Sequence, residues 1–161
     1  MAREATPVLI AYDGSELSQA ALRQAAELFP GRPAVIATVW ESGLATMVGG
    51  GTDPLSGSPL PPDPDTVETV DRLQRDHAST VASRGAELAR SLGLDAEPHP
   101  VPDEVDVADT LIGIAHERDA AVVVVGTHGI AGLRSHLVGS VARRLIEHCG
   151  RPVLVMRGER R

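Results

Sequence analysis

Short, uninterrupted apolar runs alternate with longer amphipathic stretches along this 161-residue chain, and that rhythm constrains its fold more than any other feature. Val8-Leu9-Ile10-Ala11, Val35 to Trp40 and Ala121 to Val125 lack the alternating polar residues of a half-solvated strand. Such runs read as strands buried on both faces. Between them, Ser15 to Phe29 carries Leu17, Ala20, Ala21, Ala25 and Leu28 at helical spacing and is stopped by Pro30-Gly31. A long helix is expected from about Thr66 to Leu92, a weak third strand over Asp95 to Val101, and helices over Ala108–Glu117 and Ser140–His148. Val153-Leu154-Val155-Met156 closes the series as a fifth strand. Strands alternating with helices make right-handed crossovers and a mostly parallel sheet. The expected fold is therefore α/β: an open, doubly wound sheet of five strands and four helices, one domain over residues 1–161. Such sheets bind ligands outside the carboxyl ends of their strands, where the strand order reverses.

Residues 43–65 interrupt the rhythm with five Gly and five Pro. A stretch of this kind is either disordered or a functional lid, and disorder is the expected state. Leu44, Met47, Val48, Leu55 and Leu60 are the residues an ordered flap would use.

Composition removes several functions. All 15 basic side chains are Arg, so no P-loop, Schiff-base or kinase-type lysine exists. The aromatics are Tyr12, Phe29 and Trp40, which leaves Val, Leu, Ile and Ala to build the core. The single cysteine, Cys149, cannot form an internal disulfide or a paired-cysteine metal site and reads as a small core residue. Met1 to Pro7 lacks the apolar run of a signal peptide, and no run approaches the ~18 residues needed to cross a bilayer, so a cytoplasmic location with no membrane partner is expected. A net charge of −7 argues against a nucleic-acid partner. The charge is uneven, however: residues 134–161 hold seven Arg against Glu147 and Glu159. That basic region reads equally as an anion site or as a solvated helix face.

The chemistry-bearing segment is Val125-Gly126-Thr127-His128-Gly129, followed nine residues later by Gly139-Ser140. It begins as a buried strand ends and finishes as a helix starts. Glycines there let backbone N–H groups approach an anion, and the helix adds unpaired amides and the positive end of its dipole. Together these can cradle a polyphosphate without any lysine, with the Ser140 hydroxyl as a further donor. The alternative is that Gly126 and Gly129 shape a turn and Ser140 caps its helix. At the end of the first strand, Tyr12-Asp13-Gly14-Ser15-Glu16 offers an acid that can accept hydrogen bonds from a ribose or adenine. Asp13 and Glu16 also fit a capping-box variant, and the two roles are compatible. His128 and His136 lack companions suited to a metal, and His128 reads as a support of the turn. Arg143 and Arg144 read as solvated, and Ser15 and Ser18 have no triad partners.

On these residues the chain resembles the universal stress protein family along nearly its whole length, the insertion at 43–65 aside. Gly126, Gly129, Gly139 and Ser140 match that family's ATP-binding signature, Gly-x2-Gly-x9-Gly-(Ser/Thr), and the early Tyr-Asp-Gly-Ser-Glu and late Arg-Pro-Val-Leu-Val-Met-Arg are similar to its landmarks. The resemblance implies a Rossmann-like, adenine-nucleotide α-hydrolase-like sheet of order 3-2-1-4-5, with the switch point between the strands that end near Asp13 and Gly126. It also implies roles. Asp13 and the backbone around Val39 would hold adenosine, Ala11 would line the adenine, and Gly126 would lie by the ribose. Gly129, Gly139, Ser140 and Val141 would meet the phosphates of ATP, bridged by Mg²⁺ or Mn²⁺. Arg134 stands in the signature loop where relatives often carry Lys, and is a candidate phosphate partner. Residues 152–157 match the strand through which relatives form homodimers.

The expectation is an ATP-binding regulatory protein, a homodimer with little or no turnover and no catalytic residues of its own. A slow ATP hydrolase and a dimerisation module with a vestigial loop are the rivals. The insertion leaves beside Val39, so it would cover or block the adenine pocket.

Overall fold

The computed structural model describes residues 6–42, 50–61, 63–103, 105–127 and 139–157. Within them the order is β1 (Val8–Ala11), α1 (Glu16–Leu28), β2 (Pro33–Trp40), α2 (Pro64–Ser91), β3 (Asp95–Pro102), α3 (Val107–Glu117), β4 (Val122–Gly126), α4 (Ser140–His148) and β5 (Val153–Met156). The strands form one sheet of order β3-β2-β1-β4-β5, and every neighbouring pair is parallel. β1 lies at its centre, with Val8 paired to Ala34 on one side and to Val122 on the other. All helix connections between parallel strands pass over one face or the other, which buries β1, β2 and β4 on both sides and explains their unbroken apolar sequences.

Side chains alternate between two cores. Val8, Ile10, Ile36, Val122 and Val124 pack under α1 and α2, while Leu9, Val35, Ala37, Val123 and Val125 pack under α3 and α4. The helices α1 and α2 contribute mainly alanine to the first core, whereas α3 and α4 contribute Leu111, Ile114 and Leu145 with Cys149 beside them. Cys149 is fully buried, in the place of a small apolar residue.

Three sequence expectations are corrected. Residues 50–61 are ordered: Thr52 and Pro59 form an antiparallel bridge, and Leu60 N–H donates to the Gly51 carbonyl at 2.7 Å. The Asp53 carboxylate organises the tip, accepting from Leu55 N–H at 2.9 Å and Ser56 Oγ at 2.7 Å, and these bonds pull its pKa down. The helix α2 starts at Pro64, so the end of the expected insertion is helical, with proline tolerated in a first turn whose N–H needs no partner. Leu44, Met47 and Val48 lie outside the described residues. Finally, Arg144 is not simply solvated, because it donates to Asp106 at 2.9 Å and to Asp109 at 2.7 Å and so ties α4 to the first turn of α3.

Candidate functional site

The carboxyl ends of β1, β2 and β4 bring together Ala11, Val39 and Gly126, all half-buried. Ala11 and Val39 pack against the α3–α4 core, as does Val141 in the first turn of α4. The parallel register makes this convergence unavoidable: Ala11 pairs with Ala37, two residues short of Val39, and Gly126 ends the strand on β1's other side.

The turn after β1 is built by short-range hydrogen bonds. Asp13 Oδ1 accepts from Ser15 N–H at 2.9 Å, an Asx turn, and Gly14 takes φ +80°, where a side chain would be strained. Ser15 is then the cap of α1, its Oγ accepting from Ser18 N–H at 3.1 Å. The expected Asp13–Glu16 capping box is therefore replaced by an Asp13 turn followed by a Ser15 cap. Behind the turn, Thr38 Oγ1 donates to the Tyr12 carbonyl at 2.8 Å and Tyr12 N–H donates to Ala37 O at 2.8 Å, which fixes the turn to β2.

The other half of the site is the start of α4. Gly139 is its cap, not Ser140, and Ser140 is the first helical residue, exposed to solvent. A glycine cap has no side chain to offer, and no side-chain hydrogen bond closes this end. The first intrahelical bond runs from Arg143 N–H to Gly139 O at 3.0 Å, so the amides of Ser140, Val141 and Ala142 precede the helix's own hydrogen-bond ladder. Gly139 N–H is committed to the Thr127 carbonyl at 2.8 Å, which staples the start of α4 to the end of β4. By contrast α1 and α3 carry side-chain caps, Ser15 and Asp106. Gly129, Arg134, His128 and His136 lie outside the described residues.

A cavity of about 480 Å³ opens beside the Asp13 turn, between it and α2. Among the seven expected nucleotide-binding residues that are described, Asp13 is the one that lines it. Its other walls are Tyr12, Ser15 and Gln19 on one side and His77, Val81 and Arg84 on the other. Those last three stand four and three residues apart, one stripe of α2. Burial, and then the Asp13 carboxylate, push the Tyr12 phenol above its usual pKa, so it is a neutral donor at physiological pH. This cavity is on the α1–α2 side of the sheet, whereas Ala11, Val39 and Val141 are on the α3–α4 side. Asp13 lines that cavity two residues beyond Ala11, the end of β1. Sequence reasoning missed Tyr12 and the α2 stripe. The stripe's spacing was readable, but the helix's position against the turn was not.

Among the described residues no group of three or more His, Cys, Asp or Glu is placed to hold a metal ion, and no helix is long and apolar enough to cross a membrane. The family model described as "Universal stress protein family" matches residues 4–157. The universal stress protein YxiE of Bacillus subtilis (strain 168) is 26% identical over 150 residues, covering 93% of this chain and 97% of that protein. Among solved structures, hypothetical protein MJ0577 superposes with a TM-score of 0.77 at 16% identity, covering 99% of this chain and 100% of its own. The universal stress protein of Archaeoglobus fulgidus in complex with dAMP superposes with a TM-score of 0.61 at 23% identity, covering 96% of this chain and 99% of its own.

Proposed function

The chain belongs to the universal stress protein family, and on that premise we propose that it binds an adenine nucleotide as a regulatory signal rather than as a substrate. The nucleotide in this reading is ATP. Asp13 and the backbone at Val39 hold the adenosine against Ala11, Gly126 adjoins the ribose, and Gly129, Ser140 and Val141 face the phosphates, joined by Arg134. One observation carries the reading: the amide-rich, glycine-capped start of α4 is stapled to the end of β4, at the switch point of the sheet. Amides in that arrangement attract negative charge without a lysine. The dAMP complex of the Archaeoglobus fulgidus relative supports the adenine half. Gly139 enters through its small size, which lets a phosphate approach, because its own N–H is already bonded to Thr127.

In this reading a divalent ion, Mg²⁺ or Mn²⁺, would be bridged by the phosphates rather than held by side chains. The ion's contribution would be to neutralise phosphate charge. Ser140 and the amides position a phosphate but provide no general base for water, so turnover stays below about 1 s⁻¹. The cytoplasm and a homodimer through residues 152–157 complete the proposal.

Isothermal titration with ATP and Mg²⁺ tests it. A saturable heat is expected, and its absence at high protein concentration would overturn the reading in favour of a dimerisation module. ATP at 100 times its Kd should also raise stability by about 2.7 kcal/mol. Gly139→Val should abolish the heat and leave the circular dichroism unchanged. The backbone at Gly139, φ −59° and ψ 159°, suits any residue, so the variant tests phosphate approach rather than strain. AMP binding as tightly as ATP would remove the start of α4 from the site while keeping Asp13 in it.

A further inference from the structure

The two edges of the sheet differ in what they offer to another strand. At one edge, Asp95 N–H donates to Arg32 O at 3.1 Å and Asp103 N–H donates to Trp40 O at 2.8 Å, so the odd-numbered residues of β3 address β2. In a ladder of this kind alternate residues turn their backbone groups to opposite sides, and the even-numbered residues of β3 therefore face away from the sheet. Those residues are Ala96, Pro98, Pro100 and Pro102. Three of the four have no N–H, and the outward carbonyl of the fourth, Ala96, is already taken by Arg90 Nε at 2.9 Å. An approaching strand would meet carbonyls without alternating donors, and proline rings in the path of its backbone. At the other edge, Val123 N–H donates to Pro152 O and Thr127 N–H to Met156 O, both at 2.9 Å, so the even-numbered residues of β5 address β4. Val153 and Val155 face outward, each with an intact N–H and C=O, and their side chains are only half-buried.

We propose that Pro98, Pro100 and Pro102 close the β3 edge to strand addition, so that backbone pairing between copies of this chain is confined to β5 and stops at two. The inference builds on the proposed β5 homodimer but stands on a separate observation. A β5-to-β5 contact is isologous and uses up its own surface. A β5-to-β3 contact would be head-to-tail and would repeat without limit. The prolines remove the second option while leaving the first untouched, and they do so without charge, so high salt should not relieve the block.

Sedimentation velocity over a wide concentration range reads both edges independently. The intact chain is expected to stop at a dimer, and Val155→Pro, which removes an outward N–H that β4 does not use, should return it to monomer. The triple variant Pro98→Thr/Pro100→Thr/Pro102→Thr should add larger, concentration-dependent species. If it sediments like the intact chain, edge closure by proline is wrong, whatever happens at β5. If instead the intact chain is monomeric, the β5 reading fails. Closure is then still judged by the triple variant, supported if new dimers form through β3 and overturned if none do. Pro100→Thr alone provides the same readout should the triple variant lose its circular dichroism. It should show the same new species at higher concentration, and a sedimentation profile identical to that of the intact chain would again count against closure.

Discussion

The two faces of the sheet are covered by helices of different make. Under α1 and α2 the helices give Leu22 and five alanines, Ala21, Ala25, Ala26, Ala86 and Ala89, and the rest of the bulk comes mainly from the strands and from Tyr12. Under α3 and α4 the helices give Leu111, Ile114 and Leu145 beside only two alanines, Ala115 and Ala142, and they meet valines from the strands. Small side chains let a helix backbone come close to the sheet, whereas large ones hold it off and interdigitate. The extreme case is Gly85, where an added Cβ would lie 2.7 Å from Tyr12 Cδ1 and 2.8 Å from Ile36 Cγ2. Leu22 aside, the helices of the first face should therefore be the less tolerant of enlargement and those of the second the less tolerant of truncation. This difference reaches the candidate site, because Tyr12 packs against Gly85 and immediately precedes Asp13.

The largest expected effect is on the α3–α4 face. Leu111→Ala and Leu145→Ala each remove a fully buried side chain and should cost roughly 2–5 kcal/mol in denaturant unfolding. Losses below about 1 kcal/mol would mean that this face collapses easily, and the comparison would fail. Next comes Gly85→Ala on the other face. Its helix propensity gains about 1 kcal/mol, yet overpacking against a ring typically costs roughly 1–3 kcal/mol, so net destabilisation is expected. The same variant should weaken nucleotide binding, because the displaced Tyr12 carries the Asp13 turn with it. A stabilised Gly85→Ala with unchanged affinity would show that α2 shifts freely. Arg144→Ala should be milder, at most about 1 kcal/mol, since the pair with Asp106 and Asp109 is partly solvated.

The smallest effect is a pH dependence confined to the α3 side. His99 is half-buried, and burial, followed by the Arg118 guanidinium, lowers its pKa from the ordinary 6.5. The folded state therefore resists protonation of His99. Its contribution to stability is intact above about pH 6.5 and declines as the pH falls through the lowered value. His99→Gln should flatten that part of a stability–pH curve, and an unchanged slope would exclude His99 as its source.

Much of this was legible in the sequence, for identifiable reasons. Val122 to Val125 and Val8 to Ile10 announce strands buried on both sides because nothing polar interrupts them, and their alternation with helices leaves few topologies. The glycines at 126 and 139 mark the end of β4 and the cap of α4. The third strand reads weakly because Pro98, Pro100 and Pro102 argue against a strand, and only the register shows that their missing N–H groups face outward. Ser15 and Asp13 are both good caps, and the choice between them depends on where the helix actually begins. Arg144 finds Asp106 and Asp109 on a different helix, and the α2 wall of the cavity arrives from far along the chain. Contacts of that kind depend on how elements dock, which local pattern does not contain.

The central position of β1 has a consequence for how the chain is made. Val8 can meet Ala34 almost as soon as both have left the ribosome, but its other neighbour, Val122, is synthesised much later. Until then one side of an entirely apolar segment stays open in the nascent chain. The final nucleation step must wait for a distant pairing, which makes folding slower than the helix content suggests and gives chaperones a defined window in which to act.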